Sequence, residues 1–99
     1  MNLPLAAASC AELLKNLADE TRLAVVRQLM SGPKHVGEIN AELGLDQSLL
    51  SHHLKVLREA GLVESQRDGK GVLYRLARRV EGTGNRRGID LGCCQISFK

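Results

Sequence analysis

The chain has 99 residues, a formal net charge of +3 at pH 7, one Tyr, one Phe and no Trp. This length suits one small domain, and so few aromatic residues argue against a surface that stacks the bases of single-stranded nucleic acid. No apolar run could span a membrane, and residues 3–8 lack the basic and apolar regions of a signal peptide, so we expect an uncleaved cytoplasmic protein with no membrane partner.

Two short helices are predicted at the start of the chain. The pattern S-x-x-E at residues 9–12 is a capping box and predicts a helix from about Cys10 to Leu17. Asp19 can cap a second helix, which ends near the Gly-Pro break at residues 32–33. The predicted buried stripe of this second helix contains Leu23, Val26, Leu29 and Met30.

A compact helix and a turn follow this break. Residues 35–36 predict a very short strand, and residues 37–43 predict the third helix. Residues 44–45 form a turn with one glycine into a fourth helix, which covers residues 46–60. Two helices joined in this way are typical of a helix-turn-helix, which we place at about 37–60.

The fourth helix is sharply two-faced. Asp46 is a good N-cap, and Gly61 can take the left-handed conformation that ends the helix. At about 100° per residue, the predicted buried face contains Leu49, Leu50, His53, Leu54, Val56, Leu57 and Ala60. The opposite face contains Gln47, Ser48, Ser51, His52, Lys55, Arg58 and Glu59. Short hydrogen-bonding side chains at the start of such a face suit base edges in a major groove, although a solvated helix surface can show the same pattern.

A β-hairpin is predicted directly after this helix. Two strand-like runs, residues 62–63 and 72–76, flank a turn whose Asp-Gly and Lys-Gly pairs can supply positive φ angles. Arg67 and Lys70 make the tip basic, so the hairpin can act as a wing that meets phosphate or a minor groove. The sequence therefore predicts a mainly α fold with a small β-hairpin wing at about 62–77.

The basic residues are concentrated in the same half of the chain. Residues 1–45 contain four Lys or Arg and five Asp or Glu, whereas residues 46–99 contain ten and six. An excess of cations beside a two-faced helix favours a polyanionic partner. Helix, wing and charge together predict a protein that binds double-stranded DNA.

The chain resembles the winged helix-turn-helix repressors of the ArsR/SmtB family over about residues 17–77. The matching stretches are LADETRLAVVRQLM, IxxxLGLDQSLLSHHLKVLREAGLV and RDGKGVLYRL. The resemblance implies a DNA-binding domain at residues 1–77, followed by a C-terminal tail at residues 78–99. It also implies a homodimer on an operator, which the protein leaves when a metal, a metalloid or an oxidant is sensed.

The exposed face of the fourth helix supplies the predicted DNA contacts. The groove-facing set is Gln47, Ser48, Ser51 and His52. The predicted phosphate contacts are Lys55 and Arg58, which follow on the same helix, with Arg67 and Lys70 of the wing. His53 lies on the apolar face, where we expect it to pack. A homodimer places two such helices about one helical turn of DNA apart, so we expect an inverted-repeat operator.

Two common inducer sites of the family have no counterpart here. Residues 34–38, where many members carry a C-x-C motif, contain no thiol. A long last helix with Asp and His ligands is also missing, because the C-terminal tail contains four glycines. Residues 89–98 predict a short strand or an extended segment with two adjacent cysteines, an atypical end for this family.

The thiols of Cys10, Cys93 and Cys94 are the remaining sensor candidates. An odd number of cysteines in a reducing compartment predicts metal ligation or redox chemistry rather than a disulfide framework. Thiolates prefer soft ions, and the resemblance implies that three of them bind trivalent arsenic or antimony, with Cys10 from the same chain or from its partner. Ions of Cd, Hg or Cu, or a Zn ion with a fourth ligand, are alternatives. Two further alternatives are that oxidation of the thiols is the signal, or that the cysteines have no role in sensing.

A thiol-dependent enzyme is the most distant alternative. Cys93 or Cys94 could pair with His52 or His53 as nucleophile and base. No phosphate-binding glycine loop or nucleophile motif accompanies them, and adjacent cysteines are not the C-x-x-C of thiol oxidoreductases. We therefore expect no enzyme activity.

Overall fold

Four helices are followed by two β-hairpins in the structure, a computed structural model that describes residues 9–82 and 87–99. The segment 3–8, considered above as a possible leader, lies outside the described residues. None of the described helices is long and apolar enough to cross a membrane. The elements in chain order are α1 (Cys10–Leu17), α2 (Glu20–Leu29), β1 (Lys34–His35), α3 (Val36–Leu43), α4 (Gln47–Glu59), β2 (Val63–Asp68), β3 (Gly71–Leu76), β4 (Gly88–Asp90) and β5 (Gln95–Ser97).

Side-chain caps start three of the helices where the sequence predicts them. The Ser9 hydroxyl accepts a hydrogen bond from the amide of Glu12 at 3.1 Å. Asp19 accepts from the amides of Thr21 and Arg22, and Asp46 accepts from an amide in the first turn of α4 at 3.0 Å. Each cap satisfies an amide that has no partner within the helix, which is why the predicted starts are confirmed.

The buried stripe of α2 differs in part from the prediction. Val25, Val26 and Leu29 are buried, whereas Leu23 and Met30 are only half-buried. The prediction was wrong about Val25 because α2 contacts α1, α3, α4 and β3, so a wider arc is covered than one stripe. The short strand is also shifted by one residue, since His35 caps α3 and Val36 already belongs to the helix.

The wing is a confirmed hairpin with longer strands than predicted. β2 and β3 pair antiparallel from Val63 opposite Leu76 to Asp68 opposite Gly71, and β1 pairs with the other edge of β3. Only two residues remain for the turn, and Gly69 supplies the positive φ of 64° there. Gly71 has no positive φ, contrary to prediction, because it already belongs to the ladder of β3.

The C-terminal tail forms a second hairpin that packs on the core. β4 and β5 pair antiparallel, with Ile89 opposite Ile96. Ile89 and Val80 are each only 2% exposed, and the amide of Asp90 donates to the carbonyl of Val80 at 2.9 Å. The expectation of short strands in place of a long last helix is thus met in the described part of the tail.

We expect Ile89→Ala to lower the free energy of unfolding by about 3 kcal/mol, because a fully buried side chain is lost from a packed core. Ile96→Ala is the matched control on the facing strand, where the side chain is half-buried, and should cost only about 1 kcal/mol. Urea denaturation of both variants under reducing conditions measures the difference. Equal small losses would mean that the tail hairpin does not belong to the core.

Candidate nucleic-acid interface and thiol cluster

The outer face of α4 carries all six DNA-contact residues that the sequence assigned to this helix. The exposed set is Gln47, Ser48, Ser51, His52, Lys55 and Arg58. The inner face is closed by Leu50, His53, Leu54 and Leu57, which are all buried, so the expectation that His53 packs is met. Val56 of the predicted buried face is only half-buried, and Leu49 is exposed, at 45%. It lies at the edge of the buried arc, where helical spacing alone does not decide burial.

The turn between α3 and α4 is held by one asparagine. Asn40 donates from Nδ2 to the carbonyl of Leu45 at 2.9 Å and accepts from the Leu45 amide at 2.8 Å. Gly44 has a φ of 61° and closes α3 in the left-handed conformation. These contacts set the angle between the two helices and so the direction in which the outer face of α4 points. Sequence analysis missed Asn40, because a polar residue inside a short helix looks solvated.

The wing projects its two predicted cations into solvent. Arg67 lies near the end of β2 and Lys70 in the turn, and both are exposed. Because β2 begins four residues after the end of α4, the wing and the outer face of α4 are positioned by the same core.

His35 connects the wing tip to the start of α3. Its Nε2 lies 2.8 Å from Oδ2 of Asp68, and its Nδ1 lies 3.3 Å from Oε1 of Glu38. The hydrogen bond with Asp68, supported by the one with Glu38, raises the pKa of His35 above its ordinary 6.5. A hydrogen bond from the His35 amide lowers the pKa of Glu38. His35 therefore bridges two carboxylates and connects the wing tip to the start of α3, and the raised pKa favours the charged form of its ring.

Asp68→Asn is expected to lower the pKa of His35 toward 6.5, as measured by NMR titration of the ring. Because the folded-state pKa is raised, the contact stabilises the fold fully below the unfolded pKa and loses this effect as the pH rises through the folded pKa. Wild type should therefore gain more stability over Asp68→Asn at about pH 6 than at about pH 8.

Glu64→Gln is the matched control for this titration. Glu64 lies on β2 like Asp68, but its carboxylate pairs with Nε of Arg75 at 3.3 Å and not with His35. Its loss should leave the pKa of His35 unchanged. An Asp68→Asn protein with the wild-type His35 pKa would show that the bridge does not form.

A cluster of three sulfur atoms joins the two ends of the described chain. Cys10 begins α1, and Cys93 and Cys94 lie in the turn between β4 and β5. Cys10 and Cys93 form a disulfide, and Cys94 is free. The Cys94 sulfur lies 3.7 Å from that of Cys10 and 4.0 Å from that of Cys93. In this state two of the three predicted ligand thiols are joined as a disulfide, because the fold brings their sulfur atoms within bonding distance.

The turn of the tail hairpin presents both of its cysteines to α1. Gly92 takes a φ of 91°, and its amide donates to Oδ1 of Asp90 at 2.7 Å. The amide of Leu91 donates to the carbonyl of Cys94 at 2.9 Å, which closes the turn. Within the described residues, this cluster is the one group of three potential metal ligands whose donor atoms all lie within 4.8 Å of one another.

The spacing of the sulfurs fits a shared soft ion. Metal–sulfur bonds of about 2.3 Å in a tetrahedral arrangement separate ligand sulfurs by about 3.8 Å. The two distances from Cys94 already match this value. Only the Cys10–Cys93 bond must be reduced before all three thiols are available. This takes two electrons and two protons, which a dithiol supplies itself, whereas a phosphine supplies the electrons and water the protons.

A helix-turn-helix followed directly by a β-hairpin defines the winged helix-turn-helix class, whose regulators bind DNA. Residues 19–65 match the family model described as bacterial regulatory protein, arsR family. Together with the relatives described next, this match shows that the chain belongs to the arsR family of bacterial regulatory proteins.

The relatives are transcriptional regulators. The HTH-type transcriptional regulator NmtR of Mycobacterium tuberculosis is 42% identical over 72% of this chain and 59% of its own. The crystal structure of the transcriptional repressor BigR from Xylella fastidiosa has a TM-score of 0.64 at 45% identity, over 67% of each chain. A homodimeric winged helix-turn-helix DNA-binding domain from Mycobacterium bovis has a TM-score of 0.63 at 34% identity, over 68% of this chain and 62% of its own.

The family model covers α2 to the start of β2. The chain spans between 49 and 61% of the length of the first curated relatives that it matches. None of these relatives is named as an enzyme, which agrees with the expectation that this chain is not one.

Proposed function

We propose that the protein is a homodimeric transcriptional repressor that releases its operator when a thiophilic metal(loid) ion, arsenite or antimonite first of all, binds Cys10, Cys93 and Cys94. The observation that carries this proposal is the cluster of three sulfurs beside a DNA-binding fold. Membership of the arsR family supports DNA binding, and the sulfur cluster supports the inducer site.

The DNA half of the proposal rests on exposure and charge. Gln47 can pair bidentately with adenine, and the hydroxyls and imidazole of Ser48, Ser51 and His52 can donate or accept at neighbouring base edges. The cations of Lys55, Arg58, Arg67 and Lys70 bind phosphates. Two copies, as in the homodimeric Mycobacterium bovis domain, would place two α4 helices on the half-sites of an inverted repeat, about 34 Å apart.

Gln47→Ala and Ser51→Ala are each expected to weaken binding to the operator about tenfold while leaving binding to random duplex unchanged, because they remove base contacts. Lys70→Ala should weaken binding to both DNAs alike and reduce the salt slope by about one. The operator is first selected from random duplexes with wild type, and fluorescence anisotropy then gives the affinities at several salt concentrations. Unchanged operator preference in Gln47→Ala and Ser51→Ala would remove the groove assignment.

The donor set favours a trivalent metalloid over zinc. Three sulfurs complete a pyramidal arsenic or antimony site, whereas Zn²⁺ normally requires a fourth ligand. In the described residues no His, Asp or Glu donor joins the three sulfurs in a cluster. Cys10 and the tail cysteines meet within one chain, so we propose a site inside each subunit. Cd²⁺, Hg²⁺ and Cu⁺ are the other soft ions that such a site can take.

Thiol oxidation is the second candidate signal, and the Cys10–Cys93 disulfide favours it. Hydrogen peroxide can take two electrons and two protons from these thiols, which leaves the disulfide and two waters. An oxidised site has lost two of its three ligands, so oxidation and ion binding exclude each other. Both signals act on the same contact between α1 and the tail hairpin.

Arsenite is expected to release the reduced protein from its operator, whereas Zn²⁺ should act weakly. Anisotropy of labelled operator is followed during titrations with arsenite, Cd²⁺ and Zn²⁺, with a phosphine as reductant because a dithiol would compete for arsenite. Cys93→Ser and Cys10→Ser should lose the response equally if the site is shared.

The outcomes of this titration separate the candidates. If arsenite releases Cys10→Ser from the operator but does not release Cys93→Ser, only the two tail cysteines bind the ion. Indifference to all three ions, with release by hydrogen peroxide after the phosphine has been removed, would reject the ion site and support thiol oxidation. Operator binding that ignores ions and peroxide alike would leave the cysteines without a sensing role.

A further inference from the structure

Arg22, in the first turn of α2, contacts both neighbouring helices. Its Nε donates to the backbone carbonyl of Asn16 in α1 at 2.6 Å. Its Nη1 lies 3.0 Å from Nδ1 of His53 in α4. Its own amide donates to Asp19 at 3.0 Å, and this hydrogen bond lowers the pKa of that carboxyl. The Arg22 side chain thus joins the end of α1 to the middle of α4, and its backbone amide takes part in the cap of α2.

The guanidinium of Arg22, the imidazole of His53 and the carbonyl of Asn16 can form these contacts in only one way, with Arg22 as the donor. A guanidinium only donates, so His53 must accept at Nδ1 and carry its proton on Nε2. His53 is only 8% exposed, and Arg22 is its partner on the buried side of α4. The Asn16 carbonyl belongs to the last turn of α1, where carbonyls have no partner within the helix. Because the guanidinium is a rigid planar fork, displacement of one partner changes how the other is held.

The same joint lies between the sulfur cluster and the DNA-facing residues. Cys10 begins α1, and Asn16 follows six residues later, about 9 Å along the helix. At the other end, His53 is adjacent to the exposed His52 and close to Ser51 on the outer face of α4. Because α1 has only eight residues, a tilt of this helix caused by a change in the bonding of Cys10 would also move the Asn16 carbonyl.

We propose that Arg22 is a positioning residue that couples the sulfur cluster to α4. Binding of an ion by Cys10 and the tail cysteines shifts the Asn16 carbonyl, and Arg22 transfers this shift through His53 to the DNA-facing side chains. This inference rests on the proposed inducer site. The coupling operates as a difference in operator affinity between the two states of the cluster, so it is measurable as a ratio.

The test compares four variants by the ratio of operator dissociation constants with and without saturating arsenite. We expect a ratio of about 100 in wild type, within the usual range of such couplings, and below about 10 in Arg22→Lys and His53→Leu. Arg22→Lys keeps the charge but loses the fork, and His53→Leu keeps an apolar volume but loses the acceptor. His53→Gln restores an acceptor and should restore the ratio. Glu20→Gln, an exposed change on the same helix, is the control.

Two further readouts separate uncoupling from damage. Equilibrium dialysis of arsenite against DNA-free protein should give wild-type affinity in all four variants, since no thiol is changed. Thermal denaturation shows whether His53→Leu folds. If His53→Leu does not fold, Arg22→Lys alone decides the test. The same ratio is measured with hydrogen peroxide in place of arsenite, so that the joint is tested with either signal.

The outcomes distinguish this inference from the proposed function. A low ratio in Arg22→Lys and His53→Leu, with unchanged arsenite binding and rescue by His53→Gln, supports the coupling. A wild-type ratio in both variants overturns it and leaves the inducer site intact. A wild-type protein that neither arsenite nor peroxide releases overturns the inducer site, and the coupling with it.

Discussion

Burial of one face of α4 is the constraint on which the rest of the structure depends. Leu50, Leu54 and Leu57 are each at most 1% exposed. Each contributes about 2 kcal/mol by leaving water, so α4 cannot rotate about its axis without a large loss. This rotation decides which residues face outward. Since Val63, at the start of the wing, is also buried, the same core fixes the hairpin beside the helix.

Much of this fold could be predicted because its signals are local. Ser9, Asp19 and Asp46 cap helices through contacts two or three residues along the chain, and the Asp-Gly pair sets the wing turn over a similar distance. The errors fall where burial depends on several neighbours. Val25 is buried because α2 lies among four elements, and Leu49 is exposed because it lies at the edge of an arc.

The candidate site was less predictable, since its contacts join distant segments. The sequence indicated that the three cysteines are the sensor candidates. Only tertiary packing places Cys10 beside Cys93, 83 residues later, and allows a disulfide between them. The links from His35 to Asp68 and from Arg22 to His53 have no periodic signal, because each joins residues of unrelated elements. His53 was expected to pack from its position on the helix, whereas its partner could be identified only in the structure.

The span of the sulfur cluster has a consequence for the lifetime of the protein. A bond or shared ion between Cys10 and Cys93 closes a loop of most of the chain, and the chain-entropy model gives such a loop about 4.5 kcal/mol against unfolding. Small domains have only about 5–15 kcal/mol in total. Closing the loop therefore sharply lowers the unfolded population on which cellular proteases act. The stability of the protein against unfolding, and with it the resistance of the protein to proteolysis, is thereby tied to whether Cys10 and Cys93 are joined.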